Sequence, residues 1–419
     1  MRTEDARSVR GADRRTILFL QGPASPLFSK CADRLEQMGH SCRRINLNIG
    51  DRIFWRRRGG IDYRGRREDW PAFVRDTMRE TGTTDLIMLG EERPYHKAAV
   101  EAAKSLGIDV HVIEMGYLRP DWVTFERDGI SSNSHFPRNP QHIIAAAAGL
   151  PEPDWTGRFR QSFLQEACYD LLYNLPNVFF WFLYPHYRRH ALFHPLAEYA
   201  GWSLRLLRQK RTERAAQATC EHLFAKRCPF FVYPLQLQTD YQLRAHSPYA
   251  NQQEAISQIL ASFSAHAGPD HHLLVKLHPL DNGLIDWRGH IATEARRLGI
   301  EARTHVIDGG NLDNLIDRAD GMVTVNSTSA ITALRKGKPV KTLGAAVFDT
   351  PGLSHPGSLD TFWKDPAAAD EALTSAFFRL LAHEYQVRGN FYSDAGSSAA
   401  AQAIADRLDR ADNAKDRTA

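Results

Sequence analysis

GMVTVNSTSAITALRKGKPVKTLG, residues 321–344, is the stretch that decides the fold class. A β-rich apolar run ends in a polar Asn-Ser-Thr-Ser turn, a helical pattern follows and closes at Gly337, and a second apolar run starts after Pro339. A strand, a helix and a strand in this order predict a parallel sheet covered by helices.

The same alternation occurs in two blocks of the chain. The first block starts with TILFL at Thr16 and continues to VHVIEMG, which ends at Gly116. The second block starts with FFVYPLQ at Phe230 and includes the opening stretch. The sequence therefore predicts an α/β protein with two doubly wound, Rossmann-like units that face each other across a cleft. In such sheets, ligands bind beyond the carboxyl ends of the strands.

This pattern divides the chain into five predicted segments. They are a disordered leader (1–14), a first Rossmann-like domain (15–150), a helical, basic and aromatic insert (151–225), a second Rossmann-like domain (226–365), and closing helices with a frayed tail (366–419). The leader lacks the apolar core of a signal peptide. The longest apolar stretch, LLYNLPNVFFWFLY at 171–184, is shorter than the roughly 20 residues of a membrane span, so none is predicted.

Composition narrows the class of protein. The chain has 419 residues, of which 43% are hydrophobic and 24% charged, as expected for a folded protein with several cores. The formal charge of +4 is too small to indicate a nucleic-acid partner by itself. Five cysteines lack metal-type spacing, which favours a reducing compartment. The chain has no Gly-rich dinucleotide motif, Walker loop or Asp-x-Asp motif, which argues against NAD, ATP and metal chemistry.

The opening stretch and VKLHPLD, residues 275–281, together predict an anion site. Asn326, Ser327 and Thr328 fall in a strand-to-helix turn, where hydroxyls and backbone N–H groups lie at the positive end of a helix dipole. The ordinary explanation of such residues is helix capping. Lys276 and His278 end a neighbouring strand and favour the anion site instead, because an ammonium and an imidazole can neutralise a departing phosphate. Pro279 fixes the turn after His278.

A second polar set is predicted to supply carboxylates. Gln236, Asp240 and Arg244 follow a strand of the second block. Glu91 and Glu114 each follow a strand of the first block. A retaining glycosyl transfer needs a carboxylate nucleophile and an acid/base carboxylate, and Asp240 and Glu114 come from opposing units.

Both glutamates are followed by an Arg-Pro pair. An alternative therefore stands for each of them: Glu91 pairs with Arg93, and Glu114 pairs with Arg119, as structural ties within loops.

Eight motifs carry a family resemblance, in the same order and over nearly the whole chain. They are FLQGPASPLF, RINLNIGDRIFW, ERPYH, EMGYLRPDW, PLQLQTDYQLRAHSPY, VKLHPLD, VTVNSTSAITAL and FDTPGL. The chain resembles bacterial capsular polysaccharide proteins of the KpsS/LipB type, which are similar to retaining β-Kdo glycosyltransferases of GT-B architecture. The resemblance implies CMP-Kdo as donor, a (lyso)phosphatidylglycerol-type lipid as acceptor, and the start of a poly-Kdo linker at the inner membrane.

The resemblance also implies residue roles, with the first domain on the acceptor side and the second binding the CMP-sugar. The implied catalytic residues are Asp240 as nucleophile, Glu114 as acid/base and His278. The implied nucleotide-binding residues are Lys276, His278, Pro279, Asn326, Ser327 and Thr328. The residues predicted to bind substrate are Gln21, Gly22, Glu91, Arg93, His96, Arg119, Gln236 and Arg244. The chain departs from the family pattern at Glu91-Glu92, where an aspartate and a small residue are expected, and at Met115, where a second acidic residue is common.

The basic insert is expected to contact anionic lipid. Leu204, Leu206 and Leu207 interleave with Arg205 and Arg208, and each cation near such a surface contributes about 1 kcal/mol. A solvated helix face is the alternative, and the aromatic run at 178–187 also fits a core segment.

The expected protein is cytoplasmic and peripheral at the inner membrane, with no metal, no cofactor beyond the donor substrate CMP-Kdo, and no nucleic acid. Other capsule biosynthesis and export proteins are its expected partners. Two other functions stay open: a CDP-glycerol-type glycerophosphotransferase and a non-catalytic capsule-export scaffold.

Overall fold

The computed structural model describes residues 14–189, 191–238, 243 and 245–415, with the backbone alone for 411–415. Contacts divide the chain into two compact units. Unit 1 comprises the described residues of Met1–Asp128, Trp155–Arg188 and Gln386–Ala419. Unit 2 comprises those of Gly129–Asp154 and Arg189–Tyr385. Each unit is therefore built from segments that are distant in sequence.

Unit 1 contains a seven-stranded sheet with the order β12-β6-β5-β4-β1-β2-β3. The strands β1 to β5 are parallel, whereas β6 runs antiparallel to β5 and β12 antiparallel to β6. Their bounds are β1 Thr16–Phe19, β2 Ser41–Asn46, β3 Gly60–Asp62, β4 Asp85–Leu89, β5 Asp109–Met115, β6 Trp122–Arg127 and β12 Gln386–Arg388.

The helices of unit 1 connect and cover these strands. They are α1 Leu27–Gln37, α2 Ile49–Ile53, α3 Trp70–Thr81, α4 Pro94–Ser105, α6 Phe163–Phe179 and α14 Asp394–Lys415. Ser162 begins α6, and its hydroxyl accepts from the Gln165 N–H at 3.4 Å. Asn48 begins α2 in the same way, with its side chain accepting from Asp51 N at 2.9 Å.

Unit 2 contains a five-stranded sheet with the order β11-β10-β7-β8-β9. All its neighbouring strands are parallel. Their bounds are β7 Phe230–Pro234, β8 His272–Lys276, β9 Thr304–Ile307, β10 Gly321–Thr324 and β11 Val340–Thr342. Numbered from its own first strand, this order is 5-4-1-2-3, which is the order of β5 to β3 in unit 1.

The described helices of unit 2 cover its sheet and extend beyond it. They are α5 Pro140–Ala146, α7 Pro195–Ala225, α8 Gln252–His266, α9 Trp287–Arg297, α10 Leu312–Arg318, α11 Ser329–Arg335, α12 Leu359–Phe362 and α13 Glu371–Leu380. A π-helical turn at Leu381–Tyr385 follows α13. Asn251 begins α8 and accepts from the Glu254 N–H, while the Glu254 carboxylate accepts from the Ala250 N–H.

The predicted α/β class with two Rossmann-like sheets is confirmed. The strands of both sheets are mostly short apolar runs because a parallel sheet covered on both faces is buried throughout; β4 and β7, for example, are buried at every position. Each unit has its own aromatic core. Phe19, Phe28 and Trp55 pack together in unit 1, and Phe231, Phe263 and Trp363 pack in unit 2.

Three strands of unit 1, β3, β6 and β12, are absent from the sequence prediction. β3 and β12 have three residues each, too few to show a period, and β6 lies at the antiparallel side of the sheet next to β12. β12 lies between two closing helices, and the following α14 packs its apolar face, which includes Ile404, on unit 1.

The helical insert is divided between the units, with α6 in unit 1 and α7 in unit 2. The aromatic run at 178–187 fits a core segment by its sequence, but residues 179–182 of this run are exposed. Among the described residues, no helix is both long and apolar enough to cross a bilayer.

We predict that Ile404→Ala lowers the free energy of unfolding by about 2–5 kcal/mol, because Ile404 is fully buried against unit 1 and its truncation leaves a cavity. Chemical denaturation followed by tryptophan fluorescence measures this change. Arg410→Ala, at an exposed position of the same helix, is the control. Equal stability of the two variants would show that α14 does not pack on unit 1 in solution.

Candidate functional site

In unit 2, two predicted residues meet where the strand order reverses, between β7 and β10. Gln236 follows β7 and Asn326 follows β10. The Gln236 amide N–H donates to Asn326 Oδ1 at 2.8 Å, and the Asn326 backbone N–H donates to Gln236 Oε1 at 3.1 Å. This two-way bond joins the ends of neighbouring strands at the topological switch point, which is the usual ligand position in doubly wound sheets.

A glutamine outside the predicted set fixes the loop after β7. Gln252, at the start of α8, is fully buried and its side chain accepts from the Gln236 N–H at 2.9 Å. It also donates to the Gln236 carbonyl at 2.8 Å. Because both backbone groups of Gln236 are engaged, its side chain has a defined direction toward Asn326.

The turn after β10 contains a cluster of hydroxyls. The Ser327 N–H donates to Thr324 Oγ1 at 3.0 Å, and Ser329 donates to Ser327 through its N–H and its hydroxyl, at 3.3 and 2.9 Å. Thr328 is the first flanking residue of α11, and its side chain makes no capping hydrogen bond. The ordinary capping explanation therefore does not apply to Thr328, whose side chain is half-buried at the same sheet edge.

Lys276 and His278 lie at the next strand end, that of β8. Lys276 is buried, and burial lowers the pKa of its ammonium. The nearby carboxylate of Asp308 opposes that shift, and the guanidinium of Arg205 adds to it. His278 is half-buried, and its Nδ1 accepts from the Leu280 N–H at 3.0 Å.

Arg205 on α7 fixes the turn that contains His278 and Pro279. Its guanidinium donates to the His278 carbonyl at 3.0 Å, to the Asp281 carbonyl, and to the carboxylate of Asp308, which directly follows β9. α7 packs closely on the same turn, because a Cβ at Gly201 would lie 2.2 Å from the Asn282 carbonyl oxygen. One side chain therefore determines the position of the turn relative to two strand ends.

The corresponding switch point of unit 1 lies between β1 and β4 and also contains predicted residues. Gln21 follows β1, and its amide donates to the hydroxyls of Tyr173 at 2.6 Å and Tyr187 at 3.2 Å. Arg93 follows β4, and its guanidinium approaches Gln21 Oε1 at 3.5 Å. Gly22 lies against Phe28, whose ring is 2.7 Å from the position of a Cβ.

A buried ion pair supports this arrangement. Asp51 and Arg44 are both almost fully buried and lie 3.0 Å apart. Burial raises the pKa of Asp51, which Arg44 opposes together with donors from Leu47 and Tyr173. Tyr173 also accepts from Asn48 at 3.0 Å. The tyrosine hydroxyl is thus oriented by charged and polar partners before it contacts Gln21.

Glu114 and Arg93 come together beside Gly90. Glu114 Oε2 lies 3.3 Å, and Arg93 Nε 4.0 Å, from the position that a Cβ on Gly90 would occupy. Tyr392 is close to both: burial raises the pKa of its hydroxyl, carboxylates that include Glu114 raise it further, and Arg93 opposes them. Glu114 Oε1 accepts from the Met115 N–H at 3.0 Å.

Two further carboxylates of this cluster come from α6. They are Glu166 and Asp170, and burial followed by the charge of Asp170 raises the pKa of Glu166. Arg119 opposes that shift. Arg119 itself is exposed, and its Nε donates to the Gly116 carbonyl at 3.4 Å.

Glu91 and His96 are buried below this cluster rather than on its surface. His96 Nδ1 lies 2.7 Å from the Gly90 carbonyl, so this nitrogen carries the proton and donates. Burial, followed by the charge of Arg93, lowers the pKa of His96 to about 3. A neutral His96 therefore fixes the Gly90 turn, between Glu114 and Arg93.

Asp240 and Arg244 lie outside the described residues. The other predicted residues thus lie at the carboxyl ends of strands, in two groups, one in each unit. Unit 2 groups Gln236, Lys276, His278, Pro279, Asn326, Ser327 and Thr328 at the ends of β7, β8 and β10. Unit 1 groups Gln21, Gly22, Glu91, Arg93, His96, Glu114 and Arg119 at the ends of β1, β4 and β5. The residue roles stay predictions.

Several residues of these clusters were not predicted from the sequence, although some carried a signal. Asp308 directly follows the apolar run THVI, which is the same signal that identified Glu91. Tyr173 and Asn177 are four residues apart in a helix and so share a face. Arg205 had no such signal, because its partners are backbone carbonyls of a distant loop.

Comparison with known proteins gives the family. A family profile described as capsule polysaccharide biosynthesis protein matches residues 84–392, about three quarters of the chain. The chain belongs to this family. The predicted KpsS/LipB-type membership is confirmed.

Relatives of this capsule polysaccharide biosynthesis protein match over nearly their whole length. The capsule polysaccharide export protein KpsS of Escherichia coli is 31% identical over 378 residues, which are 90% of this chain and 96% of KpsS. The capsule polysaccharide modification protein LipB of Neisseria meningitidis serogroup A is 28% identical over 389 residues, which are 90% of this chain and 91% of LipB. Among solved structures, the beta Kdo 2,7 transferase of Thermosulfurimonas dismutans KpsC aligns with a TM-score of 0.44 and 13% identity, over 94% of this chain and 99% of that one.

The neutral His96 predicts a pH dependence of stability in this capsule polysaccharide biosynthesis protein. The folded pKa of about 3 lies below the ordinary value near 6.5, so the unfolded chain binds the proton first as the pH falls. The contribution of His96 is complete above about pH 6.5 and is lost progressively below it, by about 2 kcal/mol at pH 5.

Urea unfolding of wild type and His96→Gln at pH 7.5 and pH 5.0 measures this loss. The difference in free energy of unfolding between the two proteins is expected to shrink at pH 5.0. The exposed His186→Gln is the control and is expected to follow wild type at both pH values. A difference that is the same at both pH values would contradict a neutral, buried His96.

Proposed function

We propose that this capsule polysaccharide biosynthesis protein is a retaining β-Kdo glycosyltransferase that transfers Kdo from CMP-Kdo to a phosphatidylglycerol-type lipid. The observation that carries the proposal is the unit 2 switch point, where Gln236 and Asn326 are joined at the ends of β7 and β10. The other neighbour of β7 is β8, which ends at Lys276 and is followed by His278. Membership of the capsule polysaccharide biosynthesis family supports a role for this edge in capsule synthesis.

The unit 2 edge suits a nucleoside monophosphate as leaving group. A single phosphate carries little charge, and Lys276, His278 and the hydroxyls of Ser327 and Thr328 offer a cation and hydrogen-bond donors for it. Donors that are already oriented stabilise a developing charge without reorganisation. In the proposal the two linked amides, Gln236 and Asn326, contact the polar groups of the nucleotide or of the sugar.

The proposed reaction takes two displacements. The Asp240 carboxylate attacks the anomeric carbon, the bond from that carbon to the CMP oxygen breaks, and the electron pair leaves with CMP. Glu114 then removes the proton from the acceptor hydroxyl, whose oxygen attacks the same carbon and releases Asp240. Two inversions give net retention.

Unit 1 supplies the acceptor side in this proposal. Arg93 approaches Gln21 and, like Glu114, lies beside Gly90. In the proposal Arg93 offers a cation to the acceptor phosphate while Glu114 contacts the hydroxyl. Burial and the charge of Asp170 raise the pKa of Glu166, and the charges of Glu166 and Glu114 both act on Tyr392. The proposed location is peripheral at the cytoplasmic face of the inner membrane, where lipid acceptor and soluble donor are both present.

We predict that Asp240→Asn abolishes Kdo transfer, because an amide cannot form the glycosyl ester. Purified protein is incubated with CMP-Kdo generated in situ and a fluorescent phosphatidylglycerol; CMP release and lipid mass are measured. Wild type is expected to add one or more Kdo masses. Asp240→Asn is expected to add none while its CMP affinity is unchanged.

Near-normal transfer by Asp240→Asn would exclude this aspartate as nucleophile. Both a Kdo transferase and a CDP-glycerol-type glycerophosphotransferase release CMP, so the donor itself is exchanged: a lipid that gains the mass of glycerol phosphate from CDP-glycerol, and no mass from CMP-Kdo, favours the glycerophosphotransferase. A protein that binds capsule lipid but neither nucleotide would be the non-catalytic scaffold.

Arg205 is predicted to act as a positioning residue for His278. Arg205→Ala removes the donor to two carbonyls of the turn, and we expect kcat/KM for CMP-Kdo to fall roughly 100-fold, since a displacement of about 1 Å has that cost. Arg205→Lys is expected to recover part of the loss, because an ammonium lacks the planar fork that reaches several acceptors.

The matched control is Arg208→Ala, one helical turn away on α7 and exposed. Steady-state kinetics give kcat and KM separately, and circular dichroism verifies the fold of each variant. Equal kinetics of the Arg205→Ala and Arg208→Ala variants would rule out the positioning role.

A further inference from the structure

Helix α6 has an inverted distribution of polar and apolar residues. Its inner side carries Tyr173, Asn174 and Asn177. Asn177 Oδ1 accepts from the Ile49 and Gly50 N–H groups at 3.0 and 3.2 Å, and Tyr173 bonds Gln21 and Asp51. The side of α6 that faces the rest of unit 1 is therefore polar.

The outer side of the same helix is apolar. Its exposed side chains from one end to the other are those of Phe163, Leu164, Cys168, Leu171, Leu172 and Phe179. Leu164 is 71% and Phe179 is 62% exposed. A surface helix of a globular protein normally places its polar face outward, so this orientation indicates a partner for the outer face.

The chain continues this apolar surface directly after α6. Phe180, Trp181 and Phe182 are all exposed, Trp181 at 64%. Thirteen of the 17 exposed large apolar side chains among the described residues fall between positions 163 and 207, eight of them in 163–182. We name residues 163–182 the aromatic face.

The exposed acidic and basic side chains of the segment 155–188 have one sign. Arg158, Arg160 and Arg188 flank the aromatic face and are exposed. The segment 155–188 contains two carboxylates, Glu166 and Asp170, and both lie half-buried on the inner side of α6. A segment that exposes aromatic side chains, and whose exposed charged residues are arginines alone, is complementary to an anionic, apolar partner.

We propose that the aromatic face docks on an anionic lipid bilayer. Trp181 and Phe182 enter the region between headgroups and acyl chains, and the flanking arginines contact lipid phosphates, as in interfacial amphipathic helices. Each cation near such a surface adds about five-fold to binding. The inference rests on the proposed function in one respect, that the acceptor is a lipid.

Docking through α6 also explains why its two sides differ. The inner side contacts the unit 1 polar cluster, which includes Gln21, and the outer side contacts lipid. A headgroup at the bilayer surface is thereby separated from Gln21 by the thickness of one helix, about 10 Å.

The basic helix α7 is a weaker candidate for this contact. Arg205 is engaged with the turn after β8, and the exposed residues of α7 include Glu213 and Glu221 together with arginines. A face of mixed charge is the usual solvated surface.

The experiment measures binding to vesicles of phosphatidylglycerol and phosphatidylcholine (1:1) and of phosphatidylcholine alone. We expect sedimentation of the wild type with the first at low salt, and at least ten-fold weaker binding to the second. Trp181→Ser/Phe182→Ser and Arg158→Glu/Arg160→Glu are each expected to weaken binding to the anionic vesicles ten-fold or more. Ile144→Ser, which removes an exposed apolar side chain from α5 in unit 2, is the control and is expected to bind as wild type.

Insertion is tested separately with bromine-labelled lipids, which quench nearby tryptophan fluorescence. Trp181 is the most exposed of the described tryptophans, so wild type is expected to be quenched, and Trp181→Phe to lose most of the quenching while it still sediments. Unchanged sedimentation of the Trp181→Ser/Phe182→Ser variant, or quenching that survives in Trp181→Phe, overturns the proposal. Concentration-dependent dimers in gel filtration that this double variant abolishes would assign the face to a second copy and also overturn it.

A short-chain phosphatidylglycerol that is monomeric in water distinguishes this inference from the proposed function. If both hold, Trp181→Ser/Phe182→Ser transfers Kdo to this acceptor at the wild-type rate and loses activity on vesicles only. Vesicle binding without any transfer by wild type would contradict the proposed function and leave the docking surface supported.

Discussion

In each unit the first strand lies between the second and the fourth strand of that unit. The connections that follow the first and the fourth strand therefore run in opposite directions across the sheet, and a crevice opens between the ends of these two strands. The backbone groups at those strand ends cannot all be satisfied by the ladder and need side-chain partners. In unit 2 the Gln252 side chain bonds to both backbone groups of Gln236, and the Gln236 side chain accepts from the Asn326 N–H. The topology therefore requires polar residues at the same places where a ligand finds space.

The positions of the candidate site could be predicted because each follows a buried strand. Apolar runs such as those before Gln236, Lys276 and Asn326 end where the sheet edge begins, and parallel strands bring those ends to one side. What surrounds them depends on contacts across long separations in sequence. Arg205 donates to backbone carbonyls more than 70 residues away. Because every residue type has a backbone carbonyl, the sequence does not show which residues accept these bonds.

The same limit applies to the fold. β1 and β7 are visible as continuous apolar runs, whereas β12 has three residues and forms a strand only because β6 presents an edge to it. The aromatic run at 178–187 has a core-like composition, yet Phe179 and Trp181 are exposed. Hydrophobic composition reports how costly contact with water is, and it does not report which surroundings, protein or lipid, relieve that cost.

The position of β12 has a consequence for the order in which the protein forms during synthesis. β6 ends at Arg127 and its neighbour β12 starts at Gln386, so the two are separated by 258 residues of chain. At the usual translation rates the ribosome needs roughly 13–52 s to make that interval. During this time the β6 edge and the surface later covered by α14 are without their partners, while most of unit 2 has already emerged. A chaperone that shields apolar surface has its natural period of action in that interval, and a nascent chain stalled before Gln386 would have unit 1 incomplete.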